Sequence, residues 1–521
     1  MVAGAAAAVG LTGIASALTP ELANRVDVVR AALPPGAPAA ARIATLSFGL
    51  ALVWLSRSLA RRRRRAWQLA VALVVGIALG HLAKGLDVEE AASALILLAA
   101  LVRYRRRFEV PGDPHALRPL LATALALAAT GGLTVWLELD AGPDRVEDML
   151  AAASLAAAFR ALYLWLRPLS ARVRQTVDEQ RTAQQLVGTY GRDSLSFFTL
   201  RRDKNYLFSP ERRAFLAYRV VAGTLLVSGD PVGDEDELDS LLAEVCRLSR
   251  ASGWRLGVVG ASASALERYR RLGLRPIKLG DEAVLRPDRF TLEGRPIRKV
   301  RQSVARLDRA GYRFRATTPT EADPRLRAQL DEVSQLWRGA QPDRGFSMAH
   351  DDLYAADTLV AVAEDARGRV GGFLHLVPTP ASGGYSLSAM RRRPGTPNGL
   401  MEFLIVRTLQ WARAGDVPEL SLNFCAFTDL LQPSARVWRR VTRRALLCLD
   451  RLFQLERLYS FNRKFFPEWR PRYLCVERLA DLPLVGLAYL HVESLLVPPG
   501  PWASRAGRNS VSLDRRRERL S

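Results

Sequence analysis

Long apolar segments separated by short charged ones fill the first third of the chain. Each is apolar enough to predict a helix, and about 20 such residues cover the hydrocarbon core of a bilayer. The first segment is rich in Ala and Gly and the fourth is short, so five membrane spans are the alternative to six. The six segments are Val2–Leu18, Ala40–Leu59, Trp67–Leu86, Ala91–Val102, Leu117–Leu137 and Met149–Leu166.

The charge of the loops predicts an orientation for these spans. Arginines cluster after the second, fourth and sixth segments, at 61–65, 103–107 and 167–174, whereas the alternate loops are mixed or acidic. Cytoplasmic loops carry the excess of Lys and Arg. We therefore expect a multi-pass protein of the cell (cytoplasmic) membrane with both termini and the polar half in the cytoplasm. Arg160, inside the sixth segment, is expected to snorkel or face another helix, with a polar path as the alternative.

After residue 167 the pattern changes to short strands and amphipathic helices. Residues 215–285 and 359–477 both predict the order strand, strand, helix, strand, helix, strand. That order is typical of the N-acetyltransferase-like (GNAT) fold, here duplicated. The predicted fold is an α-helical multi-span membrane domain followed by α/β (α+β) tandem GNAT-like domains. Its parts are 1–167 (membrane domain), 168–186 (linker), 187–293 (first unit), 294–313 (basic helix), 314–495 (second, catalytic unit) and 496–521 (a basic tail expected to be disordered).

Charge composition indicates the kind of partner. The chain has 75 Lys and Arg against 52 Asp and Glu, a net charge of +23. Such an excess predicts an anionic partner: nucleic acid, anionic lipid or both. The four cysteines have no CxxC spacing and the five histidines no HExxH spacing. These spacings indicate neither a disulfide framework nor a metal site, so no metal is expected.

The stretch from Tyr385 to Phe427 predicts a strand, a basic turn, a helix and a strand. Arg391–Arg393 precede a turn rich in Pro and Gly, and apolar residues at helical spacing follow. A cationic loop before a helix N-terminus attracts an anionic substrate. The alternative is a connection with solvated arginines. Pro397 removes an N–H donor where a coenzyme A site needs one, so coenzyme A is disfavoured and no cofactor is expected.

Polar residues in and near this stretch are candidates for chemistry. Glu402 could act as a general base or hold an ammonium group; the alternative is a carboxylate on a helix face. Asn423 could orient a carbonyl group or satisfy a strand edge. Arg391, Asn398 and Lys464 complete this polar and cationic group.

A basic helix is predicted between the two units, within Gly294–Arg313. A narrow apolar stripe of Val300, Val304 and Leu307 is surrounded by cations. Such a helix is either a solvated face or a strip that contacts phosphates, and the overall basicity of the chain favours phosphate contact. The candidate residues for that contact are Arg295, Arg298, Lys299 and Arg301.

Several blocks between residues 187 and 495 resemble the multiple peptide resistance factor family. These are the aminoacyl-phosphatidylglycerol synthases, typified by phosphatidylglycerol lysyltransferase. The number and order of the blocks carry the resemblance. They are DKNY at 203–206, FLAYRV at 215–220, GDPVG at 229–233, LGL at 272–274, GDEA at 280–283, FTLEG at 290–294, GFS at 345–347, MR at 390–391, PNG at 397–399 and KFFPEWRPRYL at 464–474.

The resemblance implies transfer of an aminoacyl group from aminoacyl-tRNA to the headgroup of phosphatidylglycerol or another anionic lipid, which alters membrane surface charge. This ester exchange needs orientation, oxyanion stabilisation and proton transfer. It implies catalytic roles for Arg391, Glu402 and Asn423, and tRNA binding by Arg295, Arg298, Lys299 and Arg301. The implied substrate-binding positions are Lys204, Tyr206, Tyr218, Arg219, Asp230, Glu282, Ser388, Asn398 and Lys464.

One departure from the family pattern bears on the substrate. Lysyl-transferring members usually have Asp-Leu-Met-Arg where this chain has Ser388-Ala389-Met390-Arg391. The transferred amino acid, lysine or another, therefore stays open, as do the acceptor lipid and assembly into a homo-oligomer. Two alternatives of other classes remain: a GNAT-like acyltransferase acting on a different acceptor, whose activity ribonuclease would not affect, and a catalytically degenerate membrane-tethered scaffold.

Overall fold

A computed structural model divides the chain into two compact units, Met1–Ser170 with Arg247–Trp254, and Ala171–Cys246 with Arg255–Ser521. The predicted tail at 496–521, most of the predicted span at 117–137 and part of the span at 149–166 lie outside the described residues. The described residues are 2–18, 37–85, 88–113, 119, 121–123, 125–126, 153, 156–158, 160–166, 171, 173–339, 345–346, 349–426 and 455–494.

Helices dominate the described part of the first unit. Its four long helices agree with the first four predicted segments to within three residues at each end. A Cβ built on Gly10 would lie 2.7 Å from the carbonyl oxygen of Gly49, so the first two helices cross closely. Their bounds are α1 Val2–Leu18, α2 Ala37–Leu59, α3 Arg64–Gly85 and α4 Val88–Arg103.

No helix among the described residues is both long and apolar enough to cross a membrane. The membrane spans therefore stay a prediction.

The second unit contains one twelve-stranded sheet among its described residues. The strands are β1 Asn205–Phe208, β2 Ala214–Val221, β3 Thr224–Ser228, β4 Val232–Gly233, β5 Arg255–Ser262, β6 Arg275–Leu285, β7 Arg313–Thr317, β8 Leu359–Glu364, β9 Val370–Thr379, β10 Gly384–Arg392, β11 Leu420–Ala426 and β12 Glu468–Val476. The helices beyond residue 171 are α5 Val177–Tyr190, α6 Glu235–Ala251, α7 Leu266–Arg271, α8 Arg298–Arg309, α9 Pro324–Arg338, α10 Leu400–Ala414, α11 Leu455–Asn462 and α12 Leu482–Val492.

The strand order is close to a palindrome about the central pair β12–β6. The order is β1-β2-β3-β5-β12-β6-β11-β10-β9-β8-β7, with β4 pairing β2 at the side. Moving outward from the centre, each half has an antiparallel neighbour (β5 or β11). Each then has a strand parallel to that neighbour (β3 or β10) and an antiparallel strand (β2 or β9). The two halves are thus related by a pseudo-two-fold arrangement.

The central strands are exchanged between the halves. β12 comes from the end of the chain but pairs with β5 of the first half. β6 comes from the first half but pairs with β11 of the second. The two halves repeat, but each has at least three strands before its long helix and not the two predicted, and the exchange of central strands was not predicted. Residues 280–282 and 470–472 face each other at the centre of the sheet, so side chains distant in the sequence meet there.

Local sequence explains where several elements begin. Thr176 and Glu179 form a reciprocal capping box at the start of α5. Asp323 accepts a hydrogen bond from the Leu326 backbone N–H at 2.7 Å, and Pro324 occupies the first turn of α9. One predicted boundary needs correction. β10 continues through Arg392, so Arg391 lies on a strand and not in the basic turn, because its backbone pairs with Phe373 of β9.

Candidate active site

The candidate site lies where β10 and β11 separate. These parallel strands pair only at Tyr385 with Leu420 and at Ser386 with Ser421. Beyond that point the pairing of each strand with its other neighbour is irregular. The register of β10 with β9 shifts at Ser388, and the register of β11 with β6 shifts next to Asn423. The strands therefore diverge at the positions of two predicted site residues.

The Asn423 side chain spans the point of divergence. Its Nδ2 donates to the Leu387 carbonyl oxygen at 3.1 Å, and its backbone N–H donates to Ser421 Oγ at 3.0 Å. Asn423 has φ 67°, a left-handed conformation that Asn tolerates better than most residues. Asn423 thus satisfies hydrogen-bonding groups at the strand edges, which is one of the two alternatives predicted for it. A direct part of Asn423 in the chemistry stays a prediction.

Glu282 is buried beneath this point and joined to Asn423 through Ser421. Ser421 Oγ donates to Glu282 Oε1 at 2.6 Å. Arg472 donates to the other carboxylate oxygen, with Nε 2.9 Å from Glu282 Oε2. Burial raises the pKa of Glu282, but the Arg472 guanidinium and several hydrogen bonds outweigh burial and lower it overall. Glu282 is therefore an ionised carboxylate that fixes β11, β6 and β12 together.

Arg472 extends this network into the first half of the sheet. Its Nη1 lies 2.7 Å from Asp193 Oδ2, and its Nη2 donates to Ser194 Oγ at 2.8 Å. Sequence reasoning did not select Arg472 or Asp193 as site residues. Arg472 lies within the KFFPEWRPRYL block, so its membership of a block shared with the family could have marked it as a candidate. Nothing local in the sequence pairs it with a carboxylate 190 positions away.

The equivalent place in the first half is bridged by Asp230. There β3 and β5 pair at five positions. Just beyond them, Asp230 accepts hydrogen bonds from the Ser262 backbone N–H at 3.0 Å and from the Tyr269 hydroxyl at 2.9 Å. Burial, with the neighbouring Asp193 carboxylate, raises the pKa of Asp230 to about 6. Asp230 thus ties the ends of β3 and β5 together, as Asn423 does for β11 and β10, but β3 and β5 pair over five positions and β10 and β11 over two.

Glu402 and Lys464, which the sequence placed in one group, are in contact. Lys464 Nζ lies 2.8 Å from Glu402 Oε1, and the Glu402 side chain is 15% exposed. Glu402 is in the first turn of α10, and Lys464 lies in a short helical turn before β12. Asn398, in the loop before α10, accepts a hydrogen bond from Arg306 of α8 through its backbone carbonyl at 3.1 Å. That bond connects the basic helix to the loop.

The first-half residues selected from the resemblance lie in or near the interior of that half. Lys204 is fully buried, where Nζ donates to the Phe198 carbonyl oxygen at 2.6 Å and to Ser228 Oγ at 2.7 Å. Burial lowers the pKa of Lys204 to about 7. Tyr206 is also buried, Tyr218 is half-buried, and Arg219 pairs with Asp203 at 2.8 Å. Direct contact between these residues and substrate stays a prediction.

The basic helix α8 shows its cations to solvent and its apolar stripe to the core. Val300, Val304 and Leu307 are buried. Arg295, Arg298 and Lys299 are exposed. Arg301 is also exposed, but its guanidinium donates to the Gly294 carbonyl oxygen at 3.1 Å and so holds the preceding turn. Arg295, Arg298 and Lys299 are therefore accessible to phosphates, whereas the Arg301 guanidinium is bonded to the backbone of the preceding turn.

A cavity of about 710 Å³ lies between α5 and the segment around His350. His350 lines this cavity and its backbone N–H donates to Ser388 Oγ at 2.9 Å. Three carboxylates, those of Asp351, Asp352 and Asp357, also line it. Sequence reasoning missed this cavity because its walls come from distant segments. Among the described residues, no group of three or more His, Cys, Asp or Glu is arranged to hold a metal ion.

Comparison with solved structures supports the fold class defined above. The structure of L-PGS from Bacillus licheniformis aligns with a TM-score of 0.55 at 22% identity, covering 62% of this chain and 98% of that one. At this identity the likeness shows the fold. The C-terminal unit thus has a GNAT-like fold in two related halves.

Sequence comparison then gives the family. The family described as phosphatidylglycerol lysyltransferase, C-terminal, matches residues 184–476, and the chain belongs to it. The lysylphosphatidylglycerol biosynthesis bifunctional protein LysX of Mycolicibacterium gilvum (strain PYR-GCK) is 33% identical over 509 residues, 87% of this chain. LysX of Mycobacterium sp. (strain JLS) is 38% identical over 346 residues, 62% of this chain. The chain spans 46% and 31% of the lengths of these two relatives.

Proposed function

We propose that the chain is a membrane-bound aminoacyltransferase that moves an amino acid from aminoacyl-tRNA to the headgroup of phosphatidylglycerol or a related lipid. The observation that carries this proposal is the difference between the two halves of the sheet. In the second half β10 and β11 pair at two positions and then separate, and Arg391 follows on β10, whereas β3 and β5 of the first half pair at five positions. Family membership supports the substrate class.

The proposed reaction is an ester exchange at one carbonyl carbon. The hydroxyl oxygen of the lipid glycerol forms a bond to that carbon, and the bond from the carbon to the ribose oxygen of the tRNA breaks. The proton lost by the lipid hydroxyl ends on the ribose oxygen. The two substrates supply every atom of the products. The protein therefore has to supply orientation, stabilisation of the oxyanion and a route for the proton.

The candidate catalytic residues suit those tasks. Arg391, half-buried on β10, supplies a fixed cation for the developing oxyanion or for a substrate phosphate. The Glu402–Lys464 pair places a carboxylate and an ammonium 2.8 Å apart, so that one group accepts a proton as the other stabilises the charge. Asn423 holds the two strands at the separation that admits the ester.

The acidic cavity that His350 lines supports a cationic amino acid. Ser388 stands where lysyl-transferring relatives usually carry an Asp, but Asp351 and Asp352 follow His350, whose backbone N–H is bonded to Ser388. These carboxylates supply negative charge two residues or fewer from His350, whose backbone contacts the position where this chain lacks the Asp of the family pattern. Their partners are on Arg202: its backbone N–H donates to Asp351 at 3.2 Å, and its guanidinium lies 3.4 Å from Asp352. We therefore include lysine as the first amino acid to test.

The charge of the chain supports two anionic substrates and a position at the membrane. With a net charge of +23, the chain attracts both tRNA and anionic phospholipid. The proposal places the apolar N-terminal helices in the cell membrane and the GNAT-like unit on the cytoplasmic side, where charged tRNA is found.

Mass spectrometry of cellular lipids tests the function. Cells that express the chain should contain an aminoacylated phospholipid that is absent from cells without it, and its mass identifies both the amino acid and the lipid. Cells expressing Arg391→Ala at the same protein level should lack the product. Lipid extracts that are identical with and without the wild-type chain would contradict the proposal. Replacing Asp351 with Asn should shift the product away from lysine if the acidic cavity selects it.

A further inference from the structure

A second cavity, separate from the acidic one, borders the loop that carries Lys464. Its volume is about 600 Å³, within the range of ordinary ligand pockets. The floor is apolar and includes Leu285, Ile297 and Phe465, all of which are buried. Arg286, Arg289 and the ring of Phe466 stand around it. We call this the Phe466 groove.

The backbone conformation of Phe466 exposes its ring to solvent. Its backbone has φ 54° and ψ 52°, the left-handed conformation that bulky residues rarely adopt. Its neighbour Phe465 is buried and packs against the Phe461 ring with centroids 5.5 Å apart. The turn therefore sends one ring inward and leaves the other 61% exposed at the groove. Strain of this kind at a large exposed aromatic residue points to function.

Arg289 gives the groove a cation that can move to a ligand. Its side chain is 83% exposed. Among the described residues it forms an ion pair with Asp288, at the long distance of 3.7 Å. Arg286 is held more firmly, 3.3 Å from both Glu419 and Glu468. Two carboxylates also line the groove: the charge of Glu468 is offset by Arg286 and by Arg470 at 3.2 Å, and Glu293 is exposed to solvent.

The groove adjoins both the basic helix and the proposed reaction groups. Pro296 and Ile297, which line it, immediately precede Arg298 at the start of α8. Lys464, paired with Glu402, lies two residues before Phe466. A strand-like ligand that followed the exposed cations of α8 would thus pass the Phe466 ring close to Lys464.

We propose that the Phe466 groove binds the single-stranded 3′ end of the donor tRNA, with one base stacked on the Phe466 ring and a neighbouring phosphate on Arg289. This inference rests on the proposed function, since it takes tRNA as the donor. Aromatic faces beside cations are how proteins hold single-stranded nucleic acid without reading its sequence. A lipid acyl chain is the less suitable occupant, because it would contact the apolar floor alone and bring no anion to Arg286 and Arg289.

Binding of two uncharged RNAs to the purified full-length chain tests the proposal. One is an intact tRNA, and the other is the same tRNA without its unpaired 3′ nucleotides. Phe466→Ala should weaken binding of the intact tRNA by roughly 5- to 100-fold, the effect of losing one stacked base, and leave binding of the shortened tRNA unchanged. Phe466→Trp should retain affinity for both. Arg289→Gln should weaken binding of the intact tRNA alone.

Two controls separate loss of stacking from loss of structure. Phe466→Gly should lose the same affinity while the thermal unfolding midpoint stays equal or rises, because Gly adopts φ 54° without strain. Trp337→Ala removes an aromatic side chain that is 55% exposed on α9, away from the groove, and should change neither affinity.

The remaining outcomes overturn the proposal in distinguishable ways. If the wild type prefers the intact tRNA but Phe466→Ala does not change that preference, the inference fails and the proposed function stands. If Phe466→Ala instead weakens retention on phosphatidylglycerol vesicles and leaves tRNA binding intact, the groove binds lipid and the inference again fails. If the wild type binds neither RNA, the tRNA donor itself is wrong.

Discussion

Arg472 and Glu282, 190 residues apart in the chain, form an ion pair at the centre of the sheet with Arg472 Nε 2.9 Å from Glu282 Oε2. Their side chains are 5% and 0% exposed. The pair lies on the two exchanged strands β12 and β6 and continues to Asp193 and Ser421. It therefore couples the two halves of the sheet directly beneath the candidate site.

Removing the guanidinium of Arg472 should strongly destabilise the protein. Arg472→Met leaves the Glu282 carboxylate buried without its cation, and the half-buried Asp193 without its partner; an uncompensated buried charge typically costs about 3–5 kcal/mol. Thermal unfolding should show a much lower midpoint. Adding Glu282→Gln to Arg472→Met should recover part of the loss, because it removes one buried charge. Equal midpoints for the wild type and Arg472→Met would show that the pair contributes no stability.

Gly399 should be intolerant of a side chain, because it combines strain with close packing. It has φ 96°, and a Cβ there would lie 2.6 Å from Ser303 Cβ on α8. Gly399→Ala should cost about 1–3 kcal/mol from the backbone conformation, with a further cost from the contact. Gly395→Ala is the matched control, since Gly395 has φ 77° and open space around it. A similar fall in unfolding temperature for both variants would contradict the close contact with α8.

The pH dependence of stability should reveal Asp230. Its pKa in the folded protein, about 6, is above its ordinary value of 3.8. The folded protein therefore holds this proton more tightly than the unfolded chain does. Its stabilising contribution is complete below pH 3.8 and is lost as the pH rises through about 6. Asp230→Asn should flatten the decline in unfolding midpoint between pH 4 and pH 6.5 relative to wild type. Parallel profiles for the two proteins would contradict the raised pKa.

Exposed cations of the basic helix should govern the salt dependence of tRNA binding. Replacing Arg295, Arg298 and Lys299 with Gln should weaken binding and reduce the slope of log K against log salt by roughly 2–3, since each lost phosphate contact accounts for about 0.7–0.9. Arg270→Gln with Arg271→Gln is the control, because these exposed arginines lie on α7. An unchanged slope in the triple variant would rule out phosphate contact by α8.

The sequence predicted elements well because periodicity shows which residues share a face. The apolar pattern gave α1 its observed bounds and placed α10 and β11 within a few residues. Glu402 and Lys464, two members of the predicted polar group, are in contact, while the role of that group stays a prediction. The bounds of a helix or strand depend on residues close together in the sequence, and these are visible in the pattern. Glu402 and Lys464 carry opposite charges within one predicted polar group.

The pairing of strands could not be read in the same way. Periodicity tells which face of a strand is buried and not which strand lies beside it, so the exchange of β6 and β12 had no sequence signal. Arg391 was assigned to a turn because three arginines precede Pro and Gly, but pairing with Phe373 extends β10 through it. The exposure of Phe466 likewise depends on a left-handed backbone that its residue type does not predict.

Transfer of label from tRNA to lipid by the purified chain tests the central claim most directly. The chain, in phosphatidylglycerol vesicles, receives lysyl-tRNA and other aminoacyl-tRNAs labelled in the amino acid, and organic extraction separates lipid from RNA. We predict that label from at least one of them enters the lipid phase, that prior ribonuclease treatment abolishes the transfer, and that Arg391→Ala lowers it by about 100-fold or more. Lipid free of label with every aminoacyl-tRNA offered would contradict the account.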